Sequence, residues 1–123
     1  MSETEERARG STSAAISNGA VGLLHEYTGR GPTRARTTIN DDSVMILFGD
    51  SLTKAEKMLA ERGEGAVVLQ MRHRFQEAMS ESLIALVQEH TGRQVVAFMS
   101  ANHIEPDMAA EVFVLEPDHA VAE

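Results

Sequence analysis

Apolar positions recur at two different spacings along this 123-residue chain, and the switches between them lay out its elements. Ile16, Ala20, Leu23, Leu24 and Tyr27 fall on one face at helical spacing. Their helix is expected to begin at Ser11 or Ser13, either of which offers a capping hydroxyl, leaving 1–10 as a solvated acidic tail. Gly19 and Gly22 weaken it and suggest a close neighbour. Gly29 is a natural left-handed end residue, and Pro32 forbids continuation. Thr33 to Asn40 then alternates, the turn Asn40-Asp41-Asp42 follows, and Ser43 to Phe48 is a second strand, so the two read as an antiparallel hairpin.

The pattern then returns to helical spacing. Thr53-Lys54-Ala55-Glu56 has the form of a capping box, with a hydroxyl at the cap and a carboxylate at the third helical position. A short helix runs from there to about Arg62, and Gly63 and Gly65 break it. A long helix follows from Ala66 to Thr91, with Val68, Met71, Phe75, Met79, Leu83 and Leu86 as its apolar stripe. At a rise of about 1.5 Å per residue it is roughly 39 Å long. That is more than one small sheet can cover, so part of it is expected to meet a partner chain. Gly92 ends it. Gln94 to Ser100 is a third strand, Ala101 to Asp107 a connection, Met108 to Leu115 a fourth strand, and 118–123 a second tail.

The segment Leu24-His25-Glu26-Tyr27-Thr28-Gly29-Arg30 is echoed by Val87-Gln88-Glu89-His90-Thr91-Gly92-Arg93, with glutamate, threonine, glycine and arginine repeated 63 positions on. In both places a helix ends and a hairpin begins. The expected fold is therefore one α+β domain over 11–117, two layers of helix on antiparallel sheet in the order α-β-β-α-α-β-β, with an internal pseudo-repeat. The bland reading is that Thr-Gly is common helix-ending chemistry.

The strands also bear on assembly. A sheet with one wet face alternates apolar and polar residues. The first strand does so, with Ala35, Thr37 and Ile39 opposite Arg34, Arg36 and Thr38. The second, the third and the end of the fourth are apolar on both sides. Two covered faces ask for more protein than three helices supply, so a homodimer is expected, either burying the second face or swapping the long helix. The competing reading is a monomer whose helices divide between the faces.

Composition narrows the chemistry. Nineteen acidic and eleven basic side chains give a net charge of −8, which disfavours nucleic acid as a partner. The absence of cysteine removes disulfides, thiolate nucleophiles and thiolate metal sites. No apolar run approaches the roughly 20 residues of a membrane span, and the N-terminus has no signal-peptide core. The expectation is a cytoplasmic protein, at most peripheral to a membrane.

Against that acidic background, Arg30, Arg34 and Arg36 stand out. Two of them lie on one strand face beside Gly29, Gly31 and Pro32, and forked guanidinium donors suit a carboxylate or phosphate. The alternative is internal pairing with Glu26, Asp41, Asp42 or acids of the other hairpin. Arg72 and Arg74, on the flanks and outer face of the long helix, are a second anion-binding candidate or a solvated pair with Glu77 or Glu64. The five histidines have no zinc-hydrolase spacing, so no metal or other cofactor is expected. No nucleophile elbow or paired-carboxylate signature marks a catalytic residue, although a triad can form in space.

The ordered run from Glu26-Tyr27-Thr28-Gly29-Arg30-Gly31-Pro32 through Arg34-Ala35-Arg36-Thr37 to Leu52-Thr53-Lys54-Ala55-Glu56-Lys57 resembles the MpsC-like family, as do Arg74-Phe75 and Leu86-Val87-Gln88-Glu89-His90-Thr91-Gly92 before Val95-Val96. The resemblance covers roughly 11–117. The family is named after a component of a sodium-translocating, membrane-potential-generating system, and its members are small soluble proteins without an established reaction. What the resemblance implies is a non-enzymatic accessory role beside a membrane transporter of cations or inorganic carbon. The family's glycine–proline turn and following basic residues map to Gly29, Gly31, Pro32, Arg34 and Arg36, its helix start to Thr53 and Glu56, and its long-helix basic pair to Arg72 and Arg74. The rival readings are a nucleotide- or RNA-binding regulator using the same arginines, and an enzyme with a site at a subunit boundary. The first lacks a stacking platform, since aromatic residues are only 4% of the chain.

Overall fold

A computed structural model describes residues 2–29 and 34–117. Seven elements follow in the expected order: α1 (Glu3–Thr28), β1 (Arg34–Asn40), β2 (Ser43–Gly49), α2 (Lys54–Glu61), α3 (Gly65–Thr91), β3 (Val95–His103) and β4 (Met108–Leu115). The strands form one antiparallel sheet in the order β1-β2-β4-β3, with α1 against β1 and α3 against β3. This is the α+β architecture that the hydrophobic pattern implies.

Two boundaries need correction. The first helix starts at Glu3, not at Ser11 or Ser13. Ser2 caps it: its hydroxyl accepts from the Glu5 amide at 3.1 Å, and the Glu5 carboxylate accepts from the Ser2 amide at 3.0 Å. Hydrogen bonding of the Ser2 backbone amide, and of the Ser2 side chain, to the Glu5 carboxyl holds it below its usual range. Residues 2–11 are all exposed, so this turn is kept helical by its cap, by acidic residues at the positive end of the helix dipole and by the Glu3–Arg7 pair. A search for apolar periodicity does not see such a helix. The third strand also runs on to His103, leaving Ile104–Asp107 as the turn, because Ala101, Asn102 and His103 continue the ladder opposite Ala110, Ala109 and Met108.

The sequence echo is a structural one. Gly29 and Gly92 cap their helices at φ 71° and 70°, donating to His25 O and Gln88 O at 2.8 and 2.9 Å. A β-carbon is disfavoured at such angles, which is why glycine stands at both. Thr28 and Thr91 each donate to the carbonyl one turn back, of Leu24 and Val87, at 2.8 Å. The buried triplets Ile16, Ala20, Leu24 and Met79, Leu83, Val87 also lie 63 positions apart. β2 and β4 meet at the centre of the sheet, with Ile46 paired to Glu111. The two helix–strand–strand units are thus related by an approximate two-fold axis between those residues.

The core fills the space between the helices and the inner face of the sheet. Val44, Ile46 and Phe48 point inward from β2, and Phe113 and Leu115 from β4. Phe98 and Phe113 pack with ring centroids 5.1 Å apart and planes tilted by 45°. Gly19 allows a close crossing of α1 with α3, since a β-carbon there would stand 2.5 Å from Leu86 Cδ1.

Candidate functional site

β1 places its side chains as the alternation requires. Ala35, Thr37 and Ile39 face the core, Thr37 exchanging a 2.7 Å hydrogen bond with Ser17, while Arg34 and Arg36 stand on the exposed outer face. Arg34 pairs with Gly49 and Arg36 with Leu47. Gly49 has no side chain to obstruct the guanidinium lying over it: a β-carbon there would approach Arg34 Nη2 to 3.2 Å. A cleft of about 550 Å³ opens beside the two arginines, walled by Leu47, Gly49, Pro106 and Met108.

Two acids also border the cleft, and both are engaged elsewhere. Asp107 accepts from the Ser51 and Leu52 amides at 3.1 and 2.9 Å, and Asp50 lies 3.7 Å from Lys57 Nζ. Asp42, a candidate partner for the arginines, instead pairs with Arg93, which also donates to Asp41 O and Glu116 O. Among the described residues neither Arg34 nor Arg36 forms a hydrogen bond or an ion pair. The cleft therefore presents two free forked donors on a partly apolar surface, an arrangement suited to an anion with a carboxylate or phosphate head. Arg30, Gly31 and Pro32 lie outside the described residues.

The second basic pair is split. Arg74 is exposed, but Arg72 is only 5% exposed and does not stand on the flank or outer face of its helix. Its guanidinium donates to Ser51 Oγ at 2.8 Å and Ser51 O at 3.3 Å, and reaches Glu56 Oε1 at 3.5 Å. Glu56 is itself 2% exposed and closes the capping box of α2: its carboxylate accepts from the Thr53 amide at 2.8 Å, and its own amide donates to Thr53 Oγ1 at 3.2 Å. A carboxylate that the sequence reads as part of a helix cap is thus also the partner of a buried cation.

The face that α3 turns inward is Val68, Arg72, Gln76, Met79, Leu83 and Val87, so the expected stripe through Met71 and Phe75 is displaced in the first half of the helix. Polar side chains take the inward positions there because polar partners await them. Gln76 Nε2 donates to Glu111 Oε2 at 2.8 Å, Ser100 Oγ donates to Glu111 Oε1 at 2.6 Å, and Asn102 Nδ2 donates to Gln76 Oε1 at 2.7 Å. Burial pushes the Glu111 carboxyl above its ordinary range, against the pull of the Ser100 and Gln76 hydrogen bonds and the Arg72 charge. Sequence reasoning missed Gln76, Ser100, Asn102 and Glu111. The available signal was Glu111 standing on the inward side of the alternation Ala109, Glu111, Phe113, Leu115.

The network and the cleft touch at one point. Arg72 holds Ser51, whose amide is held by Asp107, and Asp107 borders the cleft. Gly29 and Gly92 are helix ends and Thr53 is a cap, so these carried positions serve the framework that sets the cleft. Among the described residues no group of three or more His, Asp or Glu side chains is placed to hold a metal ion, and no helix is long and apolar enough to cross a membrane.

Comparison with protein families finds a match over residues 8–117 to the family described as "Na+-translocating membrane potential-generating system (MpsC)". Comparison with curated proteins and with solved structures finds no match.

Proposed function

We propose that this chain, which belongs to the MpsC family, is a non-enzymatic accessory protein of a membrane cation or inorganic-carbon transport system. It works as a homodimer at the cytoplasmic side and docks an acidic partner or small anion through Arg34 and Arg36, with Arg30 adjoining them in sequence. The observation that carries this reading is the cleft. Two guanidinium groups without partners among the described residues face solvent on a chain of net charge −8. Placing them side by side costs repulsion, which an incoming carboxylate, bicarbonate or phosphate would relieve.

Thermal melting of the full chain with bicarbonate, phosphate or an oligo-glutamate peptide tests it. One of these should raise the melting temperature of the wild type, and the doubly substituted Arg34→Glu, Arg36→Glu chain should keep its circular dichroism and lose the shift. Identical responses from the two proteins would refute the docking role. A salt-dependent mobility shift with RNA, abolished by the same substitutions, would favour the regulator reading instead.

A further inference from the structure

The cleft beside Arg34 and Arg36 is larger than an inorganic anion needs. At about 550 Å³ it lies within the range of sites that hold small organic molecules, about 300–1,000 Å³. Water occupies about 30 Å³ per molecule in the liquid, so the cleft has room for on the order of twenty. An anion the size of bicarbonate would displace a few of them and leave the rest against hydrocarbon.

Strand pairing orders the cleft from charge to hydrocarbon. Arg34, Gly49 and Met108 follow one another across β1, β2 and β4, and Arg36 and Leu47 stand in the next row. Both guanidinium groups thus belong to the β1 side, Leu47 and Met108 lie beyond them, and Pro106 adjoins Met108 from the β3–β4 turn. The acids on the border, Asp50 and Asp107, are held by Lys57 and by the Ser51 and Leu52 amides. Gly49 is the floor between the two sides. Its φ is not left-handed, so the backbone does not call for glycine there, and glycine inside a strand marks a close approach. A β-carbon at Gly49 would stand 3.2, 3.5 and 3.6 Å from Nη2, Nε and Cζ of Arg34, so that side chain leans over β2 into the space left free. With Cα atoms about 6.7 Å apart along one strand, the two forks can both donate to a single carboxylate or phosphate head.

We infer that the cleft takes a small organic anion with one carboxylate or phosphate head and a hydrocarbon body of several carbons. The head lies between Arg34 and Arg36. The body crosses Gly49 toward Met108 and Pro106, where each methylene removed from water adds to affinity. This rests on the docking reading above and names the ligand class of that site, inorganic anions using the head contacts alone.

Amide-shift titration of the full chain by NMR, at fixed ionic strength, with acetate, butyrate, hexanoate and octanoate tests it. Affinity should rise about threefold per added methylene until the cleft is filled. Neutral hexanamide should bind about tenfold more weakly than hexanoate, or less tightly still. Hexyl phosphate against hexanoate separates the two heads: either one with this dependence on length supports the proposal, and the tighter names the source of the anion. Gly49→Val fills the floor with a residue that strands accept, and Met108→Ser removes hydrocarbon from the far wall. Each should keep the circular dichroism of the wild type and flatten the gain with length, whereas Arg36→Gln should weaken every member of the series by about the same factor. A wild type that binds bicarbonate or phosphate as tightly as hexanoate, or that binds oligo-glutamate and none of the alkyl acids, overturns the ligand class and leaves the docking role standing. A gain with length that survives both Gly49→Val and Met108→Ser places the hydrocarbon elsewhere and overturns the cleft as its seat. A wild type that binds none of these anions overturns both readings.

Discussion

The two helix–strand–strand units share a path and differ in what they bury. α1, β1 and β2 enclose Ile16, Ala20, Leu24, Val44, Ile46 and Phe48. α3, β3 and β4 enclose Met79, Leu83, Val87, Phe113 and Leu115, and beside them Arg72, Gln76 and Glu111. The contrast is sharpest at the centre of the sheet, where Ile46 of the first unit pairs directly with Glu111 of the second. One backbone arrangement thus accepts either a hydrocarbon or a carboxylate at the same place, on condition that the carboxylate finds donors. Gln76 and Ser100 supply them. The first unit buries hydrocarbon and one hydroxyl pair, Ser17 with Thr37, whereas the second depends on each partner of its buried charges staying in place.

The largest effect should come from breaking that dependence. Arg72→Met removes the cation facing buried Glu56 and two donors to Ser51. It should cost about 3 kcal/mol in urea unfolding, because an uncompensated buried carboxylate remains. Arg74→Ala, two positions on and exposed, should stay within about 0.5 kcal/mol of the wild type. Equal losses from the two substitutions would mean that burial of Arg72 is not what distinguishes the second unit.

The common framework offers the next test. Gly29→Ala and Gly92→Ala both force a β-carbon into left-handed backbone, at φ 71° and 70°, with no neighbouring atom in the way. Each should cost about 1 kcal/mol, and by the same amount, since only the backbone angle is at issue. Thermal unfolding of the two variants side by side would expose any inequality between the units.

The smallest effect at neutral pH, and the most specific, concerns Glu111. Burial raises its pKa in the folded chain above that in the unfolded chain, so ionising it opposes folding. The penalty is absent below the unfolded carboxylate range and grows as pH rises through the raised value. The wild type should therefore lose stability over that interval relative to Glu111→Gln, whose amide can accept from Gln76 and donate to Ser100. Parallel stability–pH curves for the two proteins would place the buried proton elsewhere.

Order of elements, the single sheet, both glycine caps, the capping box of α2 and the outward pair Arg34 and Arg36 were all legible in the sequence. Each of these is a local matter, of periodicity within one element or of which residue tolerates a turn, and local rules act on neighbours in the chain. Tertiary structure decided the rest. It moved Arg72 from an expected flank to the interior, made Glu56 both a cap and a counter-ion, and set Gln76, Ser100 and Asn102 around Glu111, because a polar side chain is buried only when its partner arrives from a distant element. Nothing within Arg72-His73-Arg74 says that Ser51 and Glu56 will lie over the first arginine and not the second. The chain therefore determined where its helices and strands would be, while the fold chose which charges to hide and which to leave facing outward.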